Sequence, residues 1–136
     1  MPRTLEAFVD QIGPATGKGT ARTHSVVIDR PVEKGGADRG PMGGELMLLS
    51  LGGCFLSTLL AAVASRSADV SNVRITVTAT IGGSPERIEA MDMRVRAKYS
   101  DHDAMRKLVA VAERGCLVTN TLKAALVLTV TLEQEV

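Results

Sequence analysis

The chain has very few aromatic residues. Its 136 residues include no tryptophan, one tyrosine and two phenylalanines, so aromatic residues make up 2% of the composition. Proteins that bind single-stranded nucleic acid stack the bases on aromatic rings, and this chain lacks the rings for such a surface. Lysine and arginine are scattered without a basic run, and the formal net charge is +1. A nucleic-acid partner is therefore not expected.

Cysteine is also rare. Cys54 and Cys116 are the only two, 62 positions apart, which excludes a disulfide scaffold and leaves only the tertiary fold to bring them together. His24 and His102 have no partner at metal-ligand spacing, so we predict no metal site and no cofactor. The glycine-rich segment 13–20 lacks the spacing of a phosphate-binding loop and precedes a strand instead of a helix.

Charged residues are absent from the run between Leu46 and Ala64. The run is long enough to be considered as a membrane span. It contains serine, threonine and glycine, and no aromatic belt flanks it, so the sequence favours a helix buried in a soluble protein. The N-terminal residues show no apolar signal segment. We expect a cytoplasmic protein without a membrane partner.

Hydrophobic periodicity predicts an α+β fold. Hydrophobic residues make up 45% and charged residues 23% of the chain, as in a globular protein. No linker or repeat divides it, so one domain over residues 1–136 is expected. The predicted order is β-β-α-β-β-α-(α)-β, with a long central buried helix. The predicted elements are strands at 5–12 and 23–30, a helix at 44–67, strands at 73–81 and 88–99, a capped helix ending near 114, a short helix at 119–124 and a strand at 125–135.

Two segments resemble the signature of the OsmC/Ohr family of small thiol-dependent hydroperoxide reductases. The first comprises DRPVEKGG at 29–36, the pair Gly40-Pro41, and ELMLLSLGGC at 45–54. The second is CLVTNTL at 116–122. Because both segments agree at matching spacing over long runs, the resemblance is far more specific than a lone cysteine, and it extends over nearly the whole chain.

The resemblance implies an intertwined homodimer with two cysteine helices at its centre and active sites at the subunit interface. It also implies a two-cysteine peroxidase that acts on organic hydroperoxides first and on hydrogen peroxide second. Cys54, as a thiolate, would attack the peroxide and become a sulfenic acid. Cys116 would then form a disulfide with it, and an external thiol or dithiol would reduce the pair.

A buried thiol needs a nearby cation to become reactive, and arginine suits this task because it stays charged. The resemblance implies such an arginine with a glutamate that orients it. Gly44 stands where that glutamate is found, so the neighbouring Glu45 is the acidic candidate. Arg22 and Arg30 are the candidate arginines. Leu117 stands where a proline commonly follows the second cysteine.

Two other functions remain open. A cysteine on an apolar helix is commonly a core residue, and the chain would then be a non-enzymatic dimeric protein that binds a small apolar ligand near Cys54. Alternatively, a disulfide between the cysteines could change the dimer's shape and make the protein a redox sensor. The spacing between the two sulfurs distinguishes the first alternative from the peroxidase.

Overall fold

The computed structural model describes residues 1–135, which form two compact units divided between Met47 and Leu48. The N-terminal unit contains an antiparallel sheet in the order β1-β2-β3. A short 3-10 turn follows at Val32–Lys34. The strands are β1 at Phe8–Gln11, β2 at Gly17–Ala21 and β3 at His24–Ile28.

Strand β2 is not among the predicted strands, because most of its residues belong to the glycine-rich segment 13–20. Its glycines give no hydrophobic alternation and have low strand propensity. The neighbouring strands explain why glycine suits this position. A Cβ atom at Gly17 would lie 2.9 Å from Val9 Cγ1, so side chains from the adjacent strand occupy the space above the backbone of β2.

Helix α1 extends over Gly43–Ser65 and connects the two units. It is the one helix among residues 1–135 that is long and apolar enough to cross a membrane by length and composition. Its contacts are those of a core helix, because Leu51, Phe55, Leu59 and Ala62 form one buried stripe. The opposite side of α1 is open in the single chain, where Leu49 is 62% exposed.

The second unit contains a sheet in the order β4-β5-β6, with β4 antiparallel and β6 parallel to the central strand. The strands are β4 at Val70–Gly82, β5 at Arg87–Tyr99 and β6 at Val127–Gln134. Their predicted period-two pattern is confirmed, since alternate residues of β5 from Met91 to Tyr99 are buried. Residues of β4 that face the core contact α1: a Cβ at Gly52 would lie 3.3 Å from Val77 Cγ2.

Two helices stand between β5 and β6, namely α2 at His102–Gly115 and α3 at Leu117–Lys123. The predicted cap of α2 is confirmed, because the Asp101 carboxylate accepts a hydrogen bond of 3.0 Å from the Ala104 N–H. The buried face of α2 contains Met105, Leu108, Val109 and Ala112. This spacing of three and four residues places all four on one side of the helix.

The α+β class with a long central helix is confirmed, and the observed order contains one strand more than was predicted before that helix. The side of Gly52 on which a Cβ would stand faces β4 of the same chain. Gly53 has no atom within 4 Å of a built Cβ and lies towards the open side of α1. The single domain and the homodimer stay predictions.

Replacing Met105 with alanine should lower the free energy of unfolding by about 2 to 5 kcal/mol, since it empties a fully buried site in the core. Lys107→Ala on the exposed face of the same helix is the matched control and should change stability by less than about 0.5 kcal/mol. Urea unfolding followed by circular dichroism measures both. Equal losses in the two variants would contradict the packing described for α2.

Candidate active site

Cys54 lies near the middle of α1, immediately before Phe55 of the buried stripe. Its side chain is half-buried, and it borders the hydrophobic core cluster. The Cys54 carbonyl oxygen accepts a hydrogen bond of 3.0 Å from the Thr58 hydroxyl one turn later. The sulfur is thus held on a regular helix, between the core and the open side of α1.

Cys116 occupies the junction between α2 and α3, where it ends one helix and begins the next. Its backbone is extended, with φ −83° and ψ 116°, and its side chain is fully buried. The preceding residue brings this junction against α1, since a Cβ at Gly115 would lie 3.3 Å from Thr58 Cγ2. The junction therefore packs on α1 one turn after Cys54.

The two cysteines meet at this junction. Both are free thiols, and Cys116 is close enough to Cys54 to affect the pKa of its thiol. Burial is the largest effect and raises the pKa of the Cys54 thiol above its usual range, and the neighbouring Cys116 raises it further. The backbone N–H groups of Val118 and Leu117 act in the opposite direction. The sum is a raised pKa, so Cys54 in this unit is mainly a neutral thiol near pH 7.

Cysteines on segments that pack against each other can be joined without a large backbone movement, which is the geometric requirement for a disulfide. The arrangement can therefore support sulfenic acid formation at one cysteine and condensation with the other. Among residues 1–135 no group of three His, Cys, Asp or Glu side chains is placed to hold a metal ion.

Glu45 lies in the first turn of α1 with an exposed side chain. Its Oε1 atom accepts a hydrogen bond of 2.9 Å from the backbone N–H of Met42. This contact closes the beginning of the helix, and a carboxylate is also electrostatically favourable there. The structure thus gives Glu45 a capping contact, and its role in orienting an arginine stays a prediction.

The two candidate arginines both belong to the N-terminal unit. Arg22 occupies the tight turn between β2 and β3, with φ 55° and an exposed side chain. Arg30 follows β3 and is also exposed. Neither forms a salt bridge within the part of the chain that the structure describes. Their roles beside Cys54 stay predictions.

Arg30 lines an open pocket of about 570 Å³ within the N-terminal unit. Lys34 gives this pocket a second basic side chain, while Val9, Ile28 and Met42 supply apolar walls. Gly44, where the resemblance implies a glutamate, also lines it.

Asp29 begins the glycine-rich signature, and it is the buried carboxylate around which the loop is organised. Its side chain is only 2% exposed. The carboxylate accepts four hydrogen bonds, from the Thr16 hydroxyl at 3.0 Å and from the backbone N–H groups of Arg30, Ala37 and Arg39 at 2.7, 3.3 and 3.2 Å. Burial acts to raise the pKa of Asp29, but these bonds outweigh it and leave the pKa below its usual range.

The glycines of the same loop are required by close backbone contacts. A Cβ at Gly36 would lie 2.0 Å from the Arg30 carbonyl oxygen, and a Cβ at Gly40 would lie 2.0 Å from the Val27 carbonyl oxygen. No side chain fits at such distances. Asp29 and these glycines therefore shape the loop that carries Arg30, and the signature encodes a scaffold as well as a cysteine.

Comparisons with known proteins agree with the fold. A family model described as OsmC-like protein matches residues 35–131. The chain is similar in structure to an OsmC-like protein from Mycoplasma pneumoniae, with a TM-score of 0.86, 13% identity and coverage of 98% and 99% of the two chains. It is also similar to a hypothetical protein from Aquifex aeolicus VF5, with a TM-score of 0.83, 16% identity and 98% of each chain covered.

A third similar structure is an organic hydroperoxide resistance protein from Elizabethkingia anophelis with bound thiocyanate. Its TM-score is 0.76, its identity is 17%, and 99% of each chain is covered. A comparison with curated proteins finds no match. At these identities the structural matches establish a shared fold.

The Asp29→Asn variant should be less stable than the wild type at pH 7, because the amide cannot replace a carboxylate that accepts four hydrogen bonds. The folded pKa of Asp29 is lowered, so its contribution is present above the unfolded pKa and is lost as the pH falls through the folded pKa. Thermal unfolding at a series of pH values should show the two proteins converging in acid.

Asp38→Asn provides the matched control, since Asp38 is an exposed residue of the same loop with φ 54°, a conformation that asparagine tolerates. It should leave both the stability and its pH dependence almost unchanged. A stability difference for Asp29→Asn that stays constant down to strong acid would contradict the assigned role of the carboxylate.

Proposed function

The chain belongs to the OsmC-like family, and from this premise we propose that it is a thiol-dependent peroxidase that reduces organic hydroperoxides, with hydrogen peroxide as a second substrate. The observation that carries the proposal is the contact between the segments that carry the free thiols of Cys54 and Cys116, where Gly115 packs against Thr58. Residues 62 positions apart are brought together in a junction formed by three helices. Such a contact favours a redox pair over two incidental core cysteines.

The proposed reaction uses the two sulfurs in sequence. The Cys54 thiolate attacks one oxygen of the O–O bond, the bond breaks, and the other oxygen leaves as an alcohol after taking up a proton. Cys54 is oxidised to a sulfenic acid. The Cys116 thiol then attacks that sulfur, water leaves, and a disulfide forms. An external thiol or dithiol supplies two electrons and two protons to restore both thiols.

The reacting form of Cys54 is the thiolate, but the surroundings of Cys54 in the second unit raise the pKa of the thiol. Formation of the thiolate therefore needs the help of another group. We assign this help to an arginine, with Arg22 and Arg30 as the candidates and Glu45 as the acidic residue that orients it. Arg30 has the stronger support, since it lines the pocket of the N-terminal unit with Lys34.

The open side of α1 supports a homodimer as the working form. Leu49 is 62% and Leu60 is 45% exposed on a helix without a charged residue between Leu46 and Ala64. An apolar helix face of this kind favours a protein partner, and a second copy of the chain would bury it. A cytoplasmic location fits the need for free thiols and a thiol reductant.

Turnover of tert-butyl hydroperoxide with a dithiol reductant tests the proposal. The Cys54→Ser variant should lose turnover, because a hydroxyl cannot form the sulfenic acid. Without reductant, the Cys116→Ser variant should consume one equivalent of peroxide and then accumulate an oxidised Cys54 that a sulfenic-acid probe labels. Lys107→Ala, exposed on α2, serves as the control and should retain wild-type turnover.

Wild-type protein that shows no Cys54-dependent turnover with several reductants would contradict the proposal. If that protein still formed the Cys54–Cys116 disulfide slowly with peroxide, the redox-sensing function would take its place. Turnover that persists in Cys54→Ser would exclude the assigned nucleophile.

The single-turnover rate should rise with pH, because the pKa of Cys54 lies above its usual range and only the thiolate reacts. Below that pKa the thiolate fraction grows about tenfold per pH unit. Stopped-flow measurement with tert-butyl hydroperoxide from about pH 6 to about pH 9 would follow this increase. A rate that is constant over this interval would contradict a raised Cys54 pKa in the working protein, and it would instead support the assigned arginine as the cation that already holds the thiolate.

A further inference from the structure

Thr119 carries a buried hydroxyl group that the reaction proposed above does not use. It lies within α3, and its side chain is inaccessible to solvent. Its Oγ1 atom makes no hydrogen bond with any other atom of residues 1–135. A buried hydroxyl without a partner is unfavourable for stability, and such groups are rare in folded proteins. Thr119 therefore requires an explanation other than packing.

Other threonine hydroxyls of the helices are paired with the backbone. Thr58 and Thr121 each donate to the carbonyl oxygen four residues back, at 3.0 Å. Thr119 has no such acceptor in its own helix, because the residue four positions before it, Gly115, belongs to α2. The extended backbone of Cys116 separates the two helices. The break between α2 and α3 thus leaves the Thr119 hydroxyl available to another acceptor.

Cys116 lies on the same buried face as Thr119. The Asn120 N–H bonds to the Cys116 carbonyl oxygen at 3.0 Å, so Cys116 and Thr119 belong to one helical turn. Side chains three residues apart on a helix are neighbours, with Cβ atoms roughly 5 to 6 Å apart. Cys116, Thr119 and Leu122 follow this spacing, and all three are buried. The hydroxyl and the sulfur are therefore neighbours on a face from which solvent is excluded.

We propose that the Thr119 hydroxyl stabilises the thiolate of Cys116 by donating a hydrogen bond to its sulfur. A second copy of the chain cannot supply this bond, because both side chains are already enclosed within the single chain. A neutral thiol is a weak acceptor, whereas a thiolate accepts stronger, charge-assisted bonds. Rotation of the hydroxyl towards the sulfur therefore becomes favourable when the charge forms.

The proposal rests on the redox pair proposed above and concerns its second step. In that step the Cys116 sulfur loses its proton and attacks the Cys54 sulfur of the sulfenic acid. The S–S bond forms, the S–O bond breaks, and the hydroxyl group leaves with that proton as water. The attacking sulfur carries negative charge at a fully buried position, where an uncompensated charge is strongly unfavourable. A hydroxyl donor next to it lowers the free energy of the attacking form.

Thr119→Val tests the proposal, because valine has nearly the shape of threonine and no hydroxyl. An aromatic disulfide, dithiobis-nitrobenzoate, replaces peroxide as the oxidant. Cys54, at the border of the core, attacks it and releases one thionitrobenzoate. Cys116 then attacks the mixed disulfide and releases the second. Stopped-flow absorbance follows both releases, and Cys116→Ser, which should show the first release alone, identifies the second phase.

Thr119→Val should slow the second phase by about tenfold and leave the first phase unchanged. It should also unfold at a higher temperature than the wild type, because an unpaired buried hydroxyl is removed. Thr119→Ser keeps the hydroxyl and should restore a second phase close to the wild-type rate. Thr121→Val is the matched control on the same helix: its hydroxyl is exposed and paired with the backbone, so neither phase should change.

Equal rates of the second phase in wild type and folded Thr119→Val would overturn the inference, and so would equal losses in Thr119→Val and Thr119→Ser. A lower unfolding temperature for Thr119→Val would show that the hydroxyl is already paired in the reduced protein, which also contradicts it. The experiment uses no peroxide. Wild-type protein that shows both phases but no peroxide turnover would contradict the proposed function and leave this test intact.

Discussion

Burial of one stripe of α1 against the sheet β4-β5-β6 is the constraint on which the second unit depends. Leu51, Phe55 and Leu59 repeat every four residues and are inaccessible to solvent. Successive residues of a helix are rotated by about 100°, so Cys54 is turned away from the Phe55 direction to the border of the core. The same stripe that stabilises the unit thus sets how much water and how much protein surround the sulfur.

The N-terminal unit has a comparable centre in Asp29. One buried carboxylate accepts hydrogen bonds from backbone groups of the glycine-rich loop, and two glycines allow that loop to pass close to the backbone of β3 and of the residues after it. The signature residues therefore divide into two kinds. Some shape a loop that presents Arg30, and one supplies a sulfur.

The chemistry of Cys54 is a balance between opposing local effects. Burial and the Cys116 thiol disfavour the thiolate, and two backbone N–H groups favour it. Backbone groups are held by the packing of the α2–α3 junction, so they cost no side-chain entropy when the charge forms. A modest change in this packing would therefore alter reactivity without altering the cysteines themselves.

Local patterns in the sequence determined much of the fold. The alternation in β4 and β5, the capped helix α2 and the long apolar α1 were predictable because each depends on residues that are neighbours in the chain. Strand β2 was not, since its glycines carry no hydrophobic pattern and its pairing depends on side chains of other strands. For the site, the signature identified Cys54 and Cys116, but the packing of the α2–α3 junction against α1, which brings their segments together, was decided by tertiary structure. The physical reason is that packing at a junction of three helices sets a distance between atoms that no local interaction encodes.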